Sequence, residues 1–492
     1  MSRGRISNRS LLNSLVPLNS VSDSLNVNFD TTIGAATVRS GTTRLGSIAI
    51  AGFTPLGLSK IATAGLGTNT VVAVFAGASN ASIYYYDGSW HVSGVTNLSN
   101  TLKNRFAMLG GRIFRVNGFD PMSSSQNGNV WGTGSGNNCT GSTILTNLVF
   151  RQKGRLLTSG DSTRSSRVYF SSIIDQSASP YITWNTTDGS GDYIDVNPDD
   201  GDYITGFAET ATLTLVFKSM ALYRLDVINK TVDTENIFNI GAVSQEAIVR
   251  CQGVVYFFSG IDIRRTAGDL PEQISRLGVQ DYIDAIPQSS WGNIAAGTDG
   301  NNVYFSIGNI TLNTNKDGQV TRNNVVLKFS PRDEAWSVHS YAQQPRFYLQ
   351  YTTSAGGVTL IEADTNSNVQ TVNSGTTDNS TAGKPTPIYY FTDTQEIDFG
   401  DRSHSKGIAD TMVVYTNNGL DSQIAIMKDN QDFKASSFVK MDLSKRVNIG
   451  TNINVDGFKF MTTRWFGESA GTPPVLEGIS FPLVSDNGLN NA

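Results

Sequence analysis

Short hairpin-like units recur along residues 71–305, and this feature constrains the fold more than any other. Each unit consists of an aliphatic or aromatic run, a turn that contains Gly, Asn or Asp, and a second apolar run, as in Leu148–Leu157 and Ile248–Phe258. Gly, Asn and Asp tolerate the backbone of tight turns, whereas Val, Ile, Tyr and Phe favour strands. Each unit is therefore predicted to be a β-hairpin.

The spacing of the hairpins predicts the architecture. Anchor positions in the second strand of each unit are on average about 44 residues apart, and they are Ile83, Ile113, Leu156, Leu222, Val255 and Val303. Blades of β-propellers run about 40–50 residues, and their radial arrangement leaves only short, protected sheet edges. The individual steps range from 30 to 66 residues, so the pattern does not support a regular WD40 or kelch array. We expect an irregular β-propeller of about six or seven blades.

Three further segments differ from the hairpin region, which is placed at residues 46–360. Residues 1–45 are polar with scattered apolar residues, and are predicted to form an N-terminal arm that packs on a larger structure. Residues 361–386 are rich in Asn, Thr, Ser and Gly, which predicts a linker or a long loop. Residues 387–492 contain short alternating runs, which are typical of a β-sandwich or jelly-roll-like module. The expected fold class is thus all-β.

The overall charge argues against a sequence-specific DNA-binding protein. The chain has a net charge of −5, and only 16% of its residues are charged. It therefore lacks the global positive field that holds nucleic acid by neutralising phosphates. A weakly acidic wall is nevertheless compatible with a channel through which DNA moves without binding to the wall. No window approaches the roughly 20 apolar residues of a membrane helix, so no membrane insertion is expected.

Residue types that could support catalysis or metal binding are widely separated. The histidines, His91, His339 and His404, lie in different segments, and none is near a cysteine. A Gly-x-Ser-x-Gly pattern occurs at residues 467–471, but the prolines at 473 and 474 cannot open the helix that a nucleophile elbow requires. No histidine follows Ser469 to complete a triad. We predict no catalytic residue, no metal site and no cofactor, and expect that the protein is not an enzyme.

One concentrated acidic segment, Asp192–Asp202, resembles a calcium-binding loop at first sight. An EF-hand alignment that starts at Asp195 fails, because Asp200 stands where Gly is required and Gly206 stands where Glu is required. Three interpretations stay open for this segment: a structural turn, a cation site of another kind, and an acid/base pair.

Charged residues in or beside the predicted strands are candidates for a channel lumen or a subunit interface. For basic side chains in such positions, pairing between blades or subunits is favoured over contact with DNA. The selected candidates are four residues of the acidic segment and four arginines: Asp195, Asp199, Asp200, Asp202, Arg112, Arg155, Arg264 and Arg265.

Three segments resemble a known family. They are Ser166–Asp175, Tyr193–Gly206 and Leu215–Arg224. In this order they resemble the tail nozzle, or hub, proteins of short-tailed, podovirus-like bacteriophages, which are related to packaged-DNA stabilisation proteins. Further similarity is found in Val254–Ser259 and Pro474–Ser480. The resemblance covers about residues 145–340 and the C-terminal end, and its motifs are strand-turn patterns without a catalytic signature.

The resemblance implies a structural virion protein of the phage tail. Such a subunit forms a homohexameric β-propeller ring below the portal and its adaptor, the head-tail connector. The ring extends the DNA channel and helps to retain and then eject the genome. The implied partners are further copies of the chain, the portal-adaptor protein, tail fibre or spike proteins, and genomic double-stranded DNA that passes without sequence specificity. The implied location is the virion tail, after assembly in the host cytoplasm.

Two other functions stay open on the residues alone. A receptor-binding or glycan-binding β-propeller would share this composition, and it would gather its aromatic residues on one loop face. A glycan hydrolase would need two carboxylates about 5–9 Å apart in a pocket. The sequence does not identify such a pair.

Overall fold

The computed structural model describes the greater part of the chain. The described residues are 21–30, 35–46, 53–62, 69–133, 139–140, 145–178, 180–187, 189–314, 318–352, 357–379, 385–394, 406–408, 411–417, 422–428, 439–443, 447–451, 455–459, 461–480 and 484–486. Strands make up 56% and helices 5%, which confirms the all-β class. Within these ranges no helix is long and apolar enough to cross a membrane.

Four strands precede the propeller in the sequence. They are β1 (Val21–Leu25), β2 (Val27–Asn28), β3 (Ala36–Val38) and β4 (Thr42–Arg44).

Seven antiparallel sheets follow, and each is one blade. Blade 1 contains β5 (Thr54–Ala62), β6 (Asn69–Ala76), β7 (Ala81–Tyr86) and β8 (Trp90–Val92). Blade 2 contains β9 (Arg105–Leu109), β10 (Arg112–Val116), β11 (Ser123–Ser125) and β12 (Gly132–Thr133). Blade 3 contains β14 (Leu148–Gln152), β15 (Arg155–Ser159), β16 (Arg167–Phe170) and β18 (Tyr193–Asp195). Two further short strands are β13 (Cys139–Thr140), which precedes β14, and β17 (Ile182–Thr183), which lies between β16 and β18 in the chain. β13 and β17 pair in parallel beside blade 3.

The second half of the ring has the same organisation. Blade 4 contains β19 (Ile204–Glu209), β20 (Thr214–Lys218), β21 (Leu222–Asp226) and β22 (Thr231–Phe238). Blade 5 contains β23 (Ile248–Cys251), β24 (Val254–Phe258), β25 (Ile263–Thr266) and β26 (Glu272–Gln273), and the short helix α1 (Gln280–Asp284) follows it. Blade 6 contains β27 (Ala295–Thr298), β28 (Val303–Thr314), β29 (Gly318–Ser330) and β30 (Ala335–Ser340). Blade 7 contains β31 (Pro345–Thr352), β32 (Val358–Asp364), β33 (Val369–Val372) and β4.

The blades form a closed ring. The first strands of consecutive blades contact one another in chain order, and β31 of blade 7 contacts β5 of blade 1. These first strands therefore surround the propeller axis. β4 pairs with β33, so a strand from the N-terminal segment is the outermost strand of the last blade. The predicted irregular propeller is confirmed, with seven blades in the described part of the chain.

The antiparallel order within each blade gives the propeller two distinct faces. Turns that join the first to the second strand and the third to the fourth strand lie on one face, here called the upper face. Turns that join the second to the third strand lie on the opposite, lower face, together with the connections between blades.

The uneven spacing of the predicted repeats has a structural cause. Ile83 and Leu222 lie in third strands, β7 and β21, whereas the other four anchors lie in second strands. The second strands of successive blades begin 40 to 59 residues apart in the sequence. The remaining variation comes from the long upper-face turn of blade 3 and from the extended β28–β29 hairpin of blade 6.

Residues 361–386, predicted as a linker or long loop, contribute to the last blade. They hold the end of β32 and all of β33, followed by β34 (Asp378–Asn379) and β35 (Pro385–Thr386), which pair with each other. Part of the polar character that suggested a loop belongs to buried side chains that are hydrogen-bonded to one another. Asn368 and Gln370 each donate a hydrogen bond to the buried carboxylate of Asp364, at 2.8 and 2.7 Å.

The C-terminal strands form a second unit. They are β36 (Ile388–Thr394), β37 (Lys406–Ile408), β38 (Thr411–Asn417), β39 (Ser422–Lys428), β40 (Val439–Leu443), β41 (Val447–Thr451), β42 (Val455–Phe458), β43 (Met461–Ser469), β44 (Val475–Ser480) and β45 (Val484–Asp486). Two five-stranded sheets, β1-β36-β43-β39-β40 and β2-β3-β44-β38-β41, share one core that contains Val27, Val414 and Trp465. This confirms the predicted β-sandwich.

Residues 21–44, assigned to an N-terminal arm from the sequence, thus supply strands to both units. β1, β2 and β3 belong to the sandwich sheets, and β4 belongs to blade 7. Buried ion pairs hold this segment against blade 6: Asp23 with Arg322 at 2.7 Å and Asp30 with Lys328 at 2.8 Å. The sequence of residues 1–45 did not predict these strands, because each strand is short and strands of the two units that receive them lie far away in the chain.

Arg39 occupies the point where the segments meet. Its guanidinium is fully buried and donates to both carboxylate oxygens of Asp378, at 2.8 and 2.6 Å. It also donates to Asn26 Oδ1 and to the carbonyl oxygen of Ser340, and it lies 4.1 Å from the ring centre of Tyr341. One side chain therefore joins the N-terminal segment, the end of blade 6 and the strand that follows blade 7.

Candidate functional site

The three segments that carry the family resemblance form one unit at the junction of blades 3 and 4. Ser166–Asp175 contains β16, and Tyr193–Gly206 contains β18 and the turn that follows it. Leu215–Arg224 covers most of β20 and the first part of β21. β18 pairs with β16, and the turn is hydrogen-bonded to the last residue of β20. Similarity in three separate stretches of sequence therefore corresponds to one structural feature.

The acidic turn, defined here as residues 195–202, encloses an ammonium group of the chain itself. The side chain of Lys218 is fully buried, and its Nζ donates to the two carboxylate oxygens of Asp200 at 2.6 and 2.8 Å. It also donates to the carbonyl oxygen of Asn197 at 2.9 Å and to Ser166 Oγ at 3.0 Å. Lys218 thus takes the place that a bound cation would have, and the geometry is that of a structural turn.

The backbone of the acidic turn is fixed by further contacts. Asn197 and Gly201 adopt left-handed conformations, with φ of 44° and 71°, on either side of a short 3₁₀ helix at Pro198–Asp200. The Asp202 carboxylate accepts hydrogen bonds from the backbone N–H groups of Ser219 and Met220, at 3.2 and 2.8 Å. Partial burial opposes ionisation of Asp200, but the donors, Lys218 foremost, bring its pKa below the usual range.

The other two acidic candidates have different environments. Asp195 forms a two-point ion pair with Arg167, whose Nε and Nη2 lie 2.6 and 2.7 Å from the carboxylate oxygens. The Arg167 guanidinium also lies 3.6 Å from the ring centre of Tyr193. Asp199 is exposed at the tip of the turn, and within the described ranges it forms no ion pair. Of the four acidic candidates, Asp199 is therefore the one available for an external contact.

Three of the four arginine candidates are engaged within the chain. Arg112 is buried, its Nε donates to Ser124 Oγ at 3.3 Å, and burial lowers its pKa. Arg264 pairs with Asp262 at 2.7 Å. Arg265 of blade 5 pairs with Glu272 at 2.8 Å and with Glu334 of blade 6 at 3.1 Å, so it links two blades, as favoured for such residues from the sequence.

Arg155 remains partly exposed on the upper face of blade 3. It begins β15, directly after the turn from β14, and Arg151 and Lys153 are exposed in the same hairpin. Three cations are thus concentrated within five residues. The candidates therefore do not converge on one site: the acidic turn lies on the lower face, and Arg155 lies on the upper face.

The lower end of the propeller axis is crossed by an ion cluster that the sequence did not reveal. Glu246 precedes blade 5, and its carboxylate accepts hydrogen bonds from Arg105 Nε at 2.8 Å and Arg105 Nη2 at 3.1 Å. Lys103 Nζ lies 3.0 Å from the same carboxylate and donates to the carbonyl oxygen of Gly292 at 2.6 Å. Blades 2 and 5 stand on opposite sides of the seven-membered ring, so these contacts span the axis.

A cavity of about 220 Å³ lies beside the ion cluster. First strands or the connections before them, from six of the seven blades, contribute to its wall, including Phe106, Phe150 and Phe347 together with Arg105 and Glu246. Burial by itself would raise the pKa of Glu246, but the Coulombic attraction of Arg105 and Lys103 holds it far below the usual range. The Arg105–Glu246 ion pair and this cavity therefore occupy the propeller axis at this level.

A second buried charge group lies between blades 6 and 7. Glu362 and Asp364 on β32 are 1% and 0% exposed, and Asp378 lies nearby in its pair with Arg39. Glu362 Oε2 has no hydrogen-bond partner within the described ranges. Burial, reinforced by Asp364 and Asp378 and opposed by Arg39, raises the pKa of Glu362 well above its usual range. These carboxyl groups are enclosed by protein and do not line a surface cleft.

Comparison with known proteins gives no family assignment. No family model matches the sequence, and no curated protein matches it. Among solved structures, YCF48 bound to D1 peptide has a TM-score of 0.39 and 9% identity, over 70% of this chain and 96% of that chain. BamB from Moraxella catarrhalis has a TM-score of 0.37 and 12% identity, over 71% and 98%. The designed protein Ika8 has a TM-score of 0.38 and 10% identity, over 68% and 99%. At these values the likeness carries no functional argument, and the fold assignment depends on the strand topology itself.

Sequence reasoning missed the residues that organise these sites for two different reasons. The sequence does indicate Lys218, because it is the single charge of the otherwise uncharged strand β20, and a lone charge in a buried strand requires a partner. Nothing in the sequence indicates the role of Glu246, because its partners Lys103 and Arg105 lie 143 and 141 residues away in the chain.

Proposed function

We propose that this protein is a structural subunit of the tail nozzle, or hub, of a short-tailed bacteriophage. In this role, copies of the chain form a ring below the portal-adaptor complex, extend the DNA channel, retain the packaged genome and guide its ejection. The observation that carries the proposal is the unit at blades 3 and 4, where all three segments of the family resemblance come together around Lys218. A resemblance that maps onto one packed feature is better support than three scattered strand patterns.

The ion pair on the propeller axis constrains how such a ring would conduct DNA. The Arg105–Glu246 pair crosses the centre of each propeller, and residues from six blades surround the cavity beside it. A DNA duplex could not pass through an axis that this ion pair crosses. The proposed conduit therefore lies between copies, along the symmetry axis of the ring, and each propeller is a block in its wall.

The way in which the two units are joined supports a role in which the chain withstands mechanical force. Blade 7 is completed by β4, and the sandwich is completed by β1, β2 and β3 from the same N-terminal segment. Arg39 and Asp378 connect these elements through two short hydrogen bonds inside the protein. Pulling the sandwich from the propeller would break strand pairs and buried ion pairs, and not merely a surface contact.

The buried carboxyl groups give little support to a glycan hydrolase. A hydrolase of that kind needs two carboxyl groups about 5–9 Å apart that are open to the sugar. Glu362 and Asp364 are instead almost fully enclosed between blades. A receptor-binding propeller is a second candidate only through its composition, and no contact described above favours it.

The proposal is tested by measuring the mass of the purified chain with light scattering and viewing it by negative-stain electron microscopy, with and without its portal-adaptor ring. We expect a ring of six copies, formed alone or on the adaptor. A chain that stays monomeric under both conditions would contradict the proposal. Binding to a glycan array would then be the next measurement, since it separates the glycan-binding alternative.

A further inference from the structure

A buried histidine lies where the sandwich is joined to the propeller. His339 is in β30, the outer strand of blade 6, and its side chain is fully buried. The segment that leads from β1 to β2 lies against this strand. The backbone N–H of Asn26 donates to the carbonyl oxygen of Val338 at 2.7 Å, and the N–H of Ser340 donates to Asn26 Oδ1 at 2.7 Å. His339 therefore belongs to the joint between the two units, defined here as residues 23–30 together with β30.

The hydrogen bonds of the joint determine which ring nitrogen of His339 carries a proton. Asn28 Oδ1 lies 3.0 Å from His339 Nε2 and 3.1 Å from Lys328 Nζ. Because an ammonium group only donates, this atom of Asn28 is an acceptor, and Nε2 is the protonated nitrogen of the neutral ring. Nδ1 then carries a lone pair, and it has no hydrogen-bond partner among the described residues.

A second proton on this ring would be placed among cations. Lys328 and Arg39 are the charged groups that act on His339, and the Tyr341 ring packs against both Arg39 and His339. The charges of the joint are already balanced in three ion pairs, which are Asp23–Arg322, Asp30–Lys328 and Arg39–Asp378. Protonation of Nδ1 would add a buried charge without a counterion. Burial and the two cations therefore lower the pKa of His339 well below its usual value of 6.5.

We propose that His339 makes the joint acid-sensitive, so that a fall in pH releases residues 23–30 from β30. In the open joint the ring reaches water and takes up a proton with its ordinary affinity, which the closed joint does not permit. Below pH 6.5 the open state thus binds more protons than the closed state, and opening becomes more favourable as the pH falls. The sandwich has a core of its own, so the joint can open before either unit unfolds. This property belongs to the single chain and does not depend on the proposed function.

Nuclear magnetic resonance of the full-length chain labelled with ¹⁵N-histidine measures the protonation state directly. The chain contains only three histidines, His91, His339 and His404, so the spectrum is simple. The His339 signals are identified by their loss in His339→Gln. Between about pH 7.5 and pH 5 we expect its Nδ1 signal to stay at the position of an unprotonated nitrogen. Titration of this signal with a midpoint near 6.5 would overturn the proposal.

Hydrogen exchange followed by mass spectrometry measures the opening of the joint. Peptides that cover residues 23–30 and 335–340 are compared in the wild type and in His339→Gln, whose amide can donate to Asn28 but does not titrate. The aspartates of the joint are present in both chains, so their titration cancels in the comparison. From about pH 7.5 to pH 5 the wild-type joint should lose up to about thirtyfold in protection relative to the variant, because opening gains up to about tenfold per pH unit below 6.5.

His91→Gln is the matched control, because His91 is exposed and pairs with Asp87 at the surface of blade 1. It should show the same loss of protection as the wild type. An equal pH dependence of the joint in the wild type and in His339→Gln would overturn the proposal. If His339→Gln does not fold, His91→Gln and His404→Gln identify the His339 signal by elimination, and its titration then decides.

Discussion

Arg105 and Glu246 face each other across the axis of the propeller, 141 residues apart in sequence and 2.8 Å apart at their nearest atoms. Each lies at the inner edge of its blade, and the blades stand on opposite sides of the ring. The pair therefore acts as a strut, a direct link between blades 2 and 5 across the lower end of the axis. Because Arg105 belongs to blade 2 and Glu246 lies next to blade 5, each half of the propeller supplies the counterion for a charge of the other half.

The strut predicts a large effect of Glu246→Gln. Removing the carboxylate charge leaves the partly buried Arg105 and Lys103 beside the cavity without their counterion, which costs about 3 kcal/mol, the lower end of the range for a buried pair. We expect a loss of this size in the free energy of unfolding, measured by urea denaturation with circular dichroism. Glu272→Gln is the matched control, because the exposed pair of Glu272 with Arg265 contributes roughly 1 kcal/mol or less. Equal effects of the two substitutions would contradict the strut.

Glu362 predicts a pH dependence of stability. Its pKa is raised in the folded protein, so the folded state binds this proton more tightly than the unfolded chain does. The resulting stability is fully present below the ordinary Glu pKa of 4.5 and is lost as pH rises toward the raised value. The groups that act on it are Asp364, Asp378 and Arg39.

Glu362→Gln should remove this dependence, because the amide does not ionise. Between pH 5 and pH 8 we expect the wild type to lose up to about 1.4 kcal/mol per pH unit relative to the variant. Urea unfolding at several pH values checks this, with Glu334→Gln as an exposed control. Parallel pH profiles for the wild type and Glu362→Gln would count against a raised pKa.

Arg39→Gln should destabilise both units at once. The substitution leaves the buried carboxylate of Asp378 without its charge partner and removes the contact with Asn26. We expect a loss of about 3–5 kcal/mol, together with protease cleavage within residues 21–46, because β4 would detach more readily from β33. Mass spectrometry of a limited digest measures this. Arg332→Gln, at an exposed arginine of blade 6, should leave the digest unchanged.

Lys218→Met tests whether the acidic turn depends on its internal ammonium group. Without Lys218, the Asp200 carboxylate loses its principal donor, and the oxygens of Asn197 and Ser166 lose theirs. We expect about 3 kcal/mol of destabilisation in thermal or urea unfolding. Lys153→Met, on the exposed upper face, should change stability by less than about 0.5 kcal/mol. A neutral result for Lys218→Met would mean that the turn is held by its backbone contacts alone.

Local sequence patterns predicted the parts of the fold that depend on neighbouring residues. Hairpins such as Leu148–Leu157 and Ile248–Phe258 were recognisable because both strands and their turn lie within about a dozen residues. The propeller and the sandwich followed from the spacing and alternation of such runs. The acidic turn was likewise visible as a local cluster, although its internal cation was not identified.

The parts that were not predicted depend on partners far away in the chain. β1 pairs with β36, β4 pairs with β33, and Glu246 pairs with Arg105. Strands of two to five residues, such as β2 and β4, are too short to show the alternation of apolar and polar residues that predicts a strand. They become ordered by pairing with an edge strand of a sheet. The polar residues of β33 resembled a loop because nothing in the sequence shows that Asp364 would satisfy them inside the protein.

The pairing of β4 with β33 and of β1 with β36 also sets the order of events during synthesis. β1 and β4 leave the ribosome first, but their partners β36 and β33 emerge more than 300 residues later. They must remain unpaired while six blades form behind them, and the ring can close only after residue 372 has been translated. Such long-range pairing makes folding slow and leaves edges exposed meanwhile. Final closure is therefore a late step, and a nascent chain that ends before β33 would still present the open edge of blade 7 and the strand β1 without its partner β36.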